Sequence, residues 1–421
     1  MQNQMRVTAA LIITYAILGL LMNSVGTVIL QSISQFGITK AHASSLEACK
    51  DLSVVVASFL FAASLPKFGF RRAEMVVMAI IGVACLLIPQ ASAFWANQLM
   101  FVVIGLCFGV AKVATYSSIG LLQPDPGGHA SLTSLIEGCF MVAILIGIWM
   151  FGWFIGQAES GGGSWLRVYY VIAAMCAVAI MVWSTAKLDE SGAMADGVPG
   201  SQMDMLRLAM LPAVIAFLLS IFIYVLIEQG IGSWLPTFNN EILHLPAAMS
   251  VQASSIFVAA LAIGRLGASG LVKKLGWLRL LLVCLVAMAL LVILTLPATN
   301  GLKAGTITSW AGVPWVAYIF PLIGVFMAPI YPIVCSVMLS ALPREKHAAM
   351  VGLMVIFSAL GGTIGSFLTG FTFERLSGQT AFYLTLVPIA LLFVTLILFK
   401  RRIEAGPLTH DKLGWPGADH A

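Results

Sequence analysis

The sequence predicts an all-α polytopic membrane protein, with twelve transmembrane helices in two pseudo-symmetric six-helix bundles. Three observations predict it. The 421-residue chain has a mean hydropathy of +1.00 and only 9% charged residues, whereas soluble domains carry about a quarter. Apolar runs of about 20 residues, each long enough to cross a bilayer, recur along the whole length. One long polar stretch, 187–207, divides these runs six and six.

The first six runs fall at 8–33, 43–65, 73–91, 96–121, 130–156 and 166–186. The opening "MQNQMRVTAALIITYAILGLL" has no small-residue cleavage site after a short apolar core, so it reads as an uncleaved span and not a leader. The second run opens with "SSLEACKDLSVVV", the fourth contains "GLCFGVAKVATYSSIGLL", and the fifth carries Glu137. Next comes "KLDESGAMADGVPGSQMDMLR", rich in Gly, Ser and acidic residues, which reads as a flexible linker. The remaining runs fall at 208–231, 249–272, 277–297, 314–341, 348–372 and 379–399. The expected organisation is an N-terminal bundle over 1–186, a cytoplasmic linker over 187–207, a C-terminal bundle over 208–400 and a tail over 401–421.

Charge distribution sets the expected orientation. With the N-terminus cytoplasmic, fifteen Lys and Arg lie on that side, while Lys40, Arg167, Lys303 and Arg375 lie on the other. The positive-inside rule then places both termini in the cytoplasm and the chain in the inner membrane. The net charge of +5 follows from these loops and implies no nucleic-acid partner. All seven cysteines lie within the runs, without CxxC spacing, so neither a disulfide framework nor a metal site is expected.

The halves resemble each other weakly. "PKFGFRR" (66–72) stands between runs 2 and 3, and "KKLGWLR" (273–279) between runs 8 and 9. "VIGLCFG" (103–109) lines up with "LIGVFMA" (322–328), and His129 and His347 each open the run after a Pro-containing inner loop. A 6+6 chain with related halves is the architecture in which solute binds near the midplane between two rocking bundles.

On these residues the chain resembles the major facilitator superfamily, whose basic inner-loop motif occupies the positions of "GFRR" and "KKLGWLR". The motif's usual aspartate is absent, with Lys67 and Lys274 near its place. "FIYVLIEQGIGSWLPTF" (222–238) followed by "AIGRLGASGLVKKLG" (262–276) resembles the fucose:proton symporter branch. That resemblance implies proton and sugar handling by acidic residues in helices 1 and 4. Here helix 1 offers only Asn23 and Gln31, and helix 4 offers Lys112, so the coupling of that branch does not carry over residue by residue.

Seven ionisable residues are read inside the runs: Glu47, Lys50, Asp51, Lys112, Glu137, Glu228 and Arg265. A charge at a helix centre costs about 2.5–3.5 kcal/mol on insertion scales, so each calls for a partner or a wet cavity. Lys112 precedes Pro124 by twelve residues and Glu137 follows Asp125 by twelve, which puts them at similar depth on consecutive helices. An ion pair between them is expected, either as a structural lock or as a cavity-facing site. Glu47, Lys50 and Asp51 share one helix face at i, i+3 and i+4. Glu47 is expected at a solvated outer end, and Asp51 deeper and pointing inward, near the depth of Lys112. Two carboxylates beside one lysine form a coupled cluster suited to proton exchange.

In the second half, Gly230, Gly232 and Pro236 are expected to break the helix beside Glu228, which reads as a gate, a solute contact or an interface residue. Arg265 is read as a structural residue bonding the inner loops. Asn23, Gln31, Tyr116, Gln229, Trp234 and Tyr331 are candidates to face the cavity, and the offset of 219 makes Tyr331 the counterpart of Lys112. Aromatics with amides suit a sugar, and Lys112 suits a carboxylate or sulfonate.

No GxxxxGK[ST] phosphate loop, GxSxG elbow or paired-histidine motif is present, so ATP drive and intramembrane hydrolysis are not indicated. The expectation is a non-enzymatic, cofactor-free, monomeric secondary transporter. It imports a small polar solute, sugar-like or a small organic anion, by proton symport. Asp51, Glu137 and Glu228 are the expected proton-coupling residues. Lys112, Asn23, Gln31, Tyr116, Gln229, Trp234 and Tyr331 are the expected solute contacts. Proton-antiport efflux of amphipathic compounds, and a non-transporting sensor on the same fold, are the alternatives.

Overall fold

The computed structural model describes residues 2–61, 65–91, 93–123, 126–190, 207–300, 302, 307, 309–342 and 346–404. Among them, eleven helices are long and apolar enough to cross a membrane. The remaining expected span is Ser45–Phe61, a helix of 17 residues with three charges. At 1.5 Å per residue it covers about 26 Å, and the short helix Lys40–Ala43 extends it.

The N-terminal bundle contains α1 (Gln2–Met22), α2 (Val25–Phe36), α3 (Ser45–Phe61), α4 (Phe70–Leu87), α5 (Phe94–Leu122), α6 (Pro126–Glu159) and α7 (Val168–Thr185). The C-terminal bundle contains α8 (Pro212–Gly232), α9 (Leu235–Glu241), α10 (Ala247–Ala253), α11 (Ser255–Leu275) and α12 (Trp277–Thr295). It continues with α13 (Ile330–Ser340), α14 (His347–Arg375) and α15 (Leu386–Glu404). Most of the linker (191–206) and the tail from 405 lie outside the described residues.

Lipid as solvent explains why these helices are apolar on every side. On α4, Val77, Met78, Ile81 and Cys85 are buried, while Val76, Ile80, Val83 and Leu87 are exposed. Both sets are hydrophobic, because the outer face meets hydrocarbon and the inner face meets protein. Backbone groups are satisfied within the helices, as a bilayer requires.

The first two spans of each bundle are interrupted at matching places. α1 gives way to α2 at Asn23–Ser24, and α8 to α9 at Ser233–Trp234. The second spans break at Ser44 and at Ser254. Paired breaks are separated by a constant 210 residues, a backbone signature of the internal repeat. Local chemistry supports each one. The Asn23 amide donates to Gly19 O at 3.0 Å and the Ser24 hydroxyl to Leu21 O at 2.8 Å, capping carbonyls freed by the break. Pro236 sits in the first turn of α9, where its missing N–H costs nothing. The second interruption thus falls among Gly230, Gly232 and Pro236, as the sequence leads one to expect.

Glycines allow the closest helix crossings. A Cβ on Gly361 or Gly365 of α14 would run into the Phe222 or Leu226 carbonyl of α8. The start of the linker is tied down by the first basic loop. Arg71 donates from its backbone to Glu190 at 2.9 Å and from its guanidinium to Trp183 O at 3.1 Å and Ser184 O at 3.0 Å.

The bundles meet at the end away from the chain termini. Lys40 pairs with Glu241 at 3.1 Å. The Ala41 N–H donates to Glu374 at 3.0 Å, and the Ala247 N–H donates to Glu159 at 3.0 Å. Each contact crosses from one bundle to the other, and together they seal this end.

Candidate functional site: a charged cavity between the bundles

Below the seal lies a cavity of about 390 Å³, at the low end of the roughly 300–1,000 Å³ of small-molecule sites. Helix interruptions shape its roof. Asn23, Gly26 and Thr27 come from the α1–α2 break, and Gly232, Ser233 and Pro236 from the α8–α9 break. Its charges are Lys50 and Asp51 from α3, Lys112 from α5, Glu228 from α8 and Arg265 from α11. An apolar wall faces them, formed by Phe140, Met141, Ile144 and Ile148 of α6 with Phe257 and Leu261 of α11.

The acid–base line on α3 is largely self-compensating. Lys50 donates to Glu47 and stands 3.4 Å from Asp51 Oδ1. The other oxygen of Glu47 accepts the Ser233 hydroxyl at 2.8 Å, across the bundle boundary. Glu47 is 0% exposed. This overturns its expected placement at a solvated outer end: Ser233 and Lys50 answer both carboxylate oxygens, which lets the charge stay dry. Asp51 faces the cavity, and its Oδ2 lies 2.5 Å from where a Cβ on Gly362 would stand, so it is seated against α14 of the opposite bundle.

Lys112 lines the cavity as an exposed side chain. Its ammonium lies 5.8 Å from the centre of the Phe108 ring one turn earlier. The expected Lys112–Glu137 ion pair is not formed. Glu137 instead accepts the hydroxyls of Tyr15, at 3.2 Å, and Tyr116. Lys112 and Tyr116 are i, i+4 on α5; the Tyr116 hydroxyl reaches Glu137, while the Lys112 ammonium lies over Phe108 on the turn before. The expected cluster of Asp51 and Glu137 around Lys112 is therefore replaced by two separate sets, Asp51 with Lys50 and Glu137 with two phenols.

The second bundle repeats the carboxylate–phenol theme. Tyr224 donates to Glu228 at 2.9 Å, and the rings of Tyr224 and Tyr331 pack at 5.7 Å between centroids. Tyr331 bonds Ser358 at 3.3 Å and stands behind Glu228, outside the cavity lining. Of the other expected solute contacts, Asn23 and Gln229 line the cavity, while Gln31 and Tyr116 do not. Trp234 is fully buried and donates to Ser366 O at 2.9 Å, so it fastens α9 to α14 instead of facing solute.

Two charged residues were misread or missed from sequence. Arg265 is no inner-loop brace; it lines the cavity, with its guanidinium 3.8 Å from the Met141 sulfur of the other bundle. The signal was the stripe Ser254, Val258, Leu261 and Arg265, one helical face at steps of 4, 3 and 4. Glu74, at the start of the run 73–91 and close behind Arg71 and Arg72, is absent from the seven charges read inside the runs, yet it lies fully buried in α4. One of its oxygens accepts the Thr115 hydroxyl at 2.8 Å, and the other has no partner among the described residues.

Two six-helix bundles, sealed at one end over a charged cavity at their boundary, define the architecture of a secondary transporter. The chain belongs to the major facilitator superfamily, whose sequence profile matches residues 11–323. No curated protein sequence matches it. Among solved structures it is similar to a bacterial homologue of the human lysosomal transporter Spinster, in an inward-facing and unoccupied conformation. That match has a TM-score of 0.75 and 13% identity, and covers 97% of this chain and 99% of the other. It is similar also to a mutant of the nucleoside transporter NupG, with a TM-score of 0.73, 13% identity and coverage of 94% and 99%. A D-xylose–proton symporter gives a TM-score of 0.70, 13% identity and coverage of 96% and 99%. At these identities the likeness is one of fold.

Proposed function

We propose that this transporter carries a small polar solute by proton symport, with the cavity between the bundles as the binding site. The observation that carries this reading is the placement of Asp51 and Glu228 on the cavity wall, one from each bundle, with Glu137 just behind Lys112. Carboxylates there exchange protons with the cavity when it is wet and hold them when it is dry, which is what coupling needs. The resemblance of 222–238 and 262–276 to the fucose:proton symporter branch, and the proton symporter among the structural neighbours, point the same way. The excess of Lys and Arg in the loops on the side of the termini supports a cytoplasmic placement of that side. The seal through Lys40 and Glu241 is then extracellular, and the described conformation faces inward.

The apolar wall of α6 gives one reason to keep a second reading, proton-antiport efflux of amphipathic compounds. Proteoliposomes with a pH-sensitive dye inside separate the two. Symport predicts acidification of the lumen when the right member of a panel of sugars, sugar acids and small organic anions is added outside, with the response lost in Asp51→Asn. Silence across that panel, with amphipathic cations dissipating an imposed proton gradient, would establish antiport instead.

A further inference from the structure

We infer that the solute is an anion, and that Lys112 and Arg265 bind its carboxylate or an equivalent group from opposite bundles. This rests on the cavity being the solute site. Each carboxylate that lines the cavity has a donor on the protein: Asp51 has Lys50, and Glu228 has the Tyr224 hydroxyl. Of the cations, only Lys50 is answered in kind. Lys112 has an aromatic ring at 5.8 Å and Arg265 a thioether sulfur at 3.8 Å, and neither makes an ion pair among the described residues. An ammonium carries three N–H donors and a guanidinium five, so nearly all of this donor capacity is open to the cavity. A neutral polyol would leave both cations without a direct ion-pair partner. A carboxylate supplies two acceptor oxygens and fits the guanidinium fork side-on.

The two cations line the same cavity and are connected along its wall by Phe108, Phe140 and Met141. Lys112 sits over Phe108, whose ring lies 6.3 Å from that of Phe140. The next residue, Met141, is the one Arg265 touches. An anion held by both cations touches α5 of one bundle and α11 of the other, so its binding depends on how the bundles are set. That dependence is what allows a ligand to shift a two-state equilibrium.

Neighbouring charge also explains why such an anion would enter with a proton. Glu137 bonds Tyr116, one turn along α5 from Lys112, and Glu228 lines the cavity together with Arg265. With Glu47, Asp51, Glu137 and Glu228 ionised against Lys50, Lys112 and Arg265, the group already carries one excess negative charge. Protonating Glu137 or Glu228 removes one negative charge beside the cavity and so offsets the charge that the solute brings. The phenols of Tyr15, Tyr116 and Tyr224 hold those carboxyl groups in place in either form.

The test is thermal stabilisation of the purified full-length protein by matched pairs, each a sugar acid and its neutral sugar: gluconate with glucose, and galacturonate with galactose, together with lactate and succinate. At least one anion is expected to raise the unfolding midpoint while its neutral partner does not. Lys112→Gln and Arg265→Gln should each weaken that anion about tenfold or more, and Lys112→Arg should retain most of the affinity. Equal stabilisation by a neutral partner, or anion binding unchanged in both Gln variants, overturns the inference. So does silence of every anion at tens of millimolar. Should a variant fail to fold, competition by the same pairs against transport in wild-type proteoliposomes makes the same distinction between anion and neutral sugar. Anion binding without proton movement would keep this inference and sink the symport reading. Proton movement driven by a neutral sugar would do the reverse.

Discussion

Ser233 donates its hydroxyl to Glu47 at 2.8 Å, and these two residues belong to different bundles. Ser233 stands at the interruption of the seventh span, and Glu47 near the start of the helix that carries Lys50 and Asp51. One hydrogen bond thus links a backbone break, a buried ion pair and the bundle boundary.

The first prediction concerns that link. A hydrogen bond to a buried charged group contributes about 1.5–3 kcal/mol, and this one crosses the boundary along which the bundles would part. Ser233→Ala should therefore move the equilibrium between sealed and opened forms roughly tenfold to a hundredfold towards opening. Spin labels on the far ends of the two bundles would report a growing population at longer separation. An unchanged distance distribution would mean that the seal rests on Lys40–Glu241 and the backbone contacts alone.

Lys50 is the cation that keeps two carboxylates of α3 inside the protein. Replacing it with Met leaves Glu47 fully buried without its counter-ion, a change that costs about 3–5 kcal/mol when one partner of a buried pair is removed. Lys50→Met should lower the unfolding midpoint in detergent, and adding Glu47→Gln should restore much of it, because the stranded charge is then gone. Equal stability of Lys50→Met and wild type would show that water reaches Glu47.

The fold was legible in the sequence because its signals are local. Apolar runs set the spans, and Gly230, Gly232 and Pro236 mark the interruption of the seventh. The second span is the weak case, since Glu47, Lys50 and Asp51 dilute its hydropathy and the helix is short. The cavity charges were also visible as residues, but their partners were not. Glu137 has its partners on α1 and α5, and Glu47 has one on α8, contacts set by helix rotation and bundle docking that spacing along one chain does not encode. Equal depth of Lys112 and Glu137 was a sound inference that the tyrosines pre-empted. Arg265 lies near the inner end of its span, where a basic residue ordinarily meets the loops, and only its helical face shared with Ser254, Val258 and Leu261 marks it as a cavity residue.

Glu137 gives the third prediction. Glutamine keeps an acceptor for Tyr15 and Tyr116 but cannot bind and release a proton at neutral pH. If Glu137 couples proton to solute, Glu137→Gln should abolish uphill accumulation driven by a proton gradient while solute exchange between equal pools continues. Tyr116→Phe, which removes one of its hydrogen bonds, should reduce accumulation without abolishing it. Full accumulation by Glu137→Gln would assign coupling to Asp51 or Glu228.

The last prediction uses two glycines that face different kinds of neighbour. A Cβ on Gly26 would stand 2.7 Å from the Ser233 carbonyl oxygen, which lies across the bundle boundary. A Cβ on Gly105 would press on the Lys50 carbonyl and stand 2.8 Å from the Ser53 Cβ, both in its own bundle. The same substitution should then act on two different equilibria. Gly105→Val forces α3 and α5 apart within a packed unit and should cost stability, about 1–3 kcal/mol for overpacking of this kind. In Gly26→Val the clash exists only in the sealed arrangement, and rocking the bundles apart relieves it. That variant should unfold near the wild-type temperature yet hold the far end open, so that a cysteine placed beside Asn23 becomes reactive from that side. A drop in unfolding midpoint as large as that of Gly105→Val would show instead that the contact between Gly26 and Ser233 belongs to a rigid core and that the bundles do not part there.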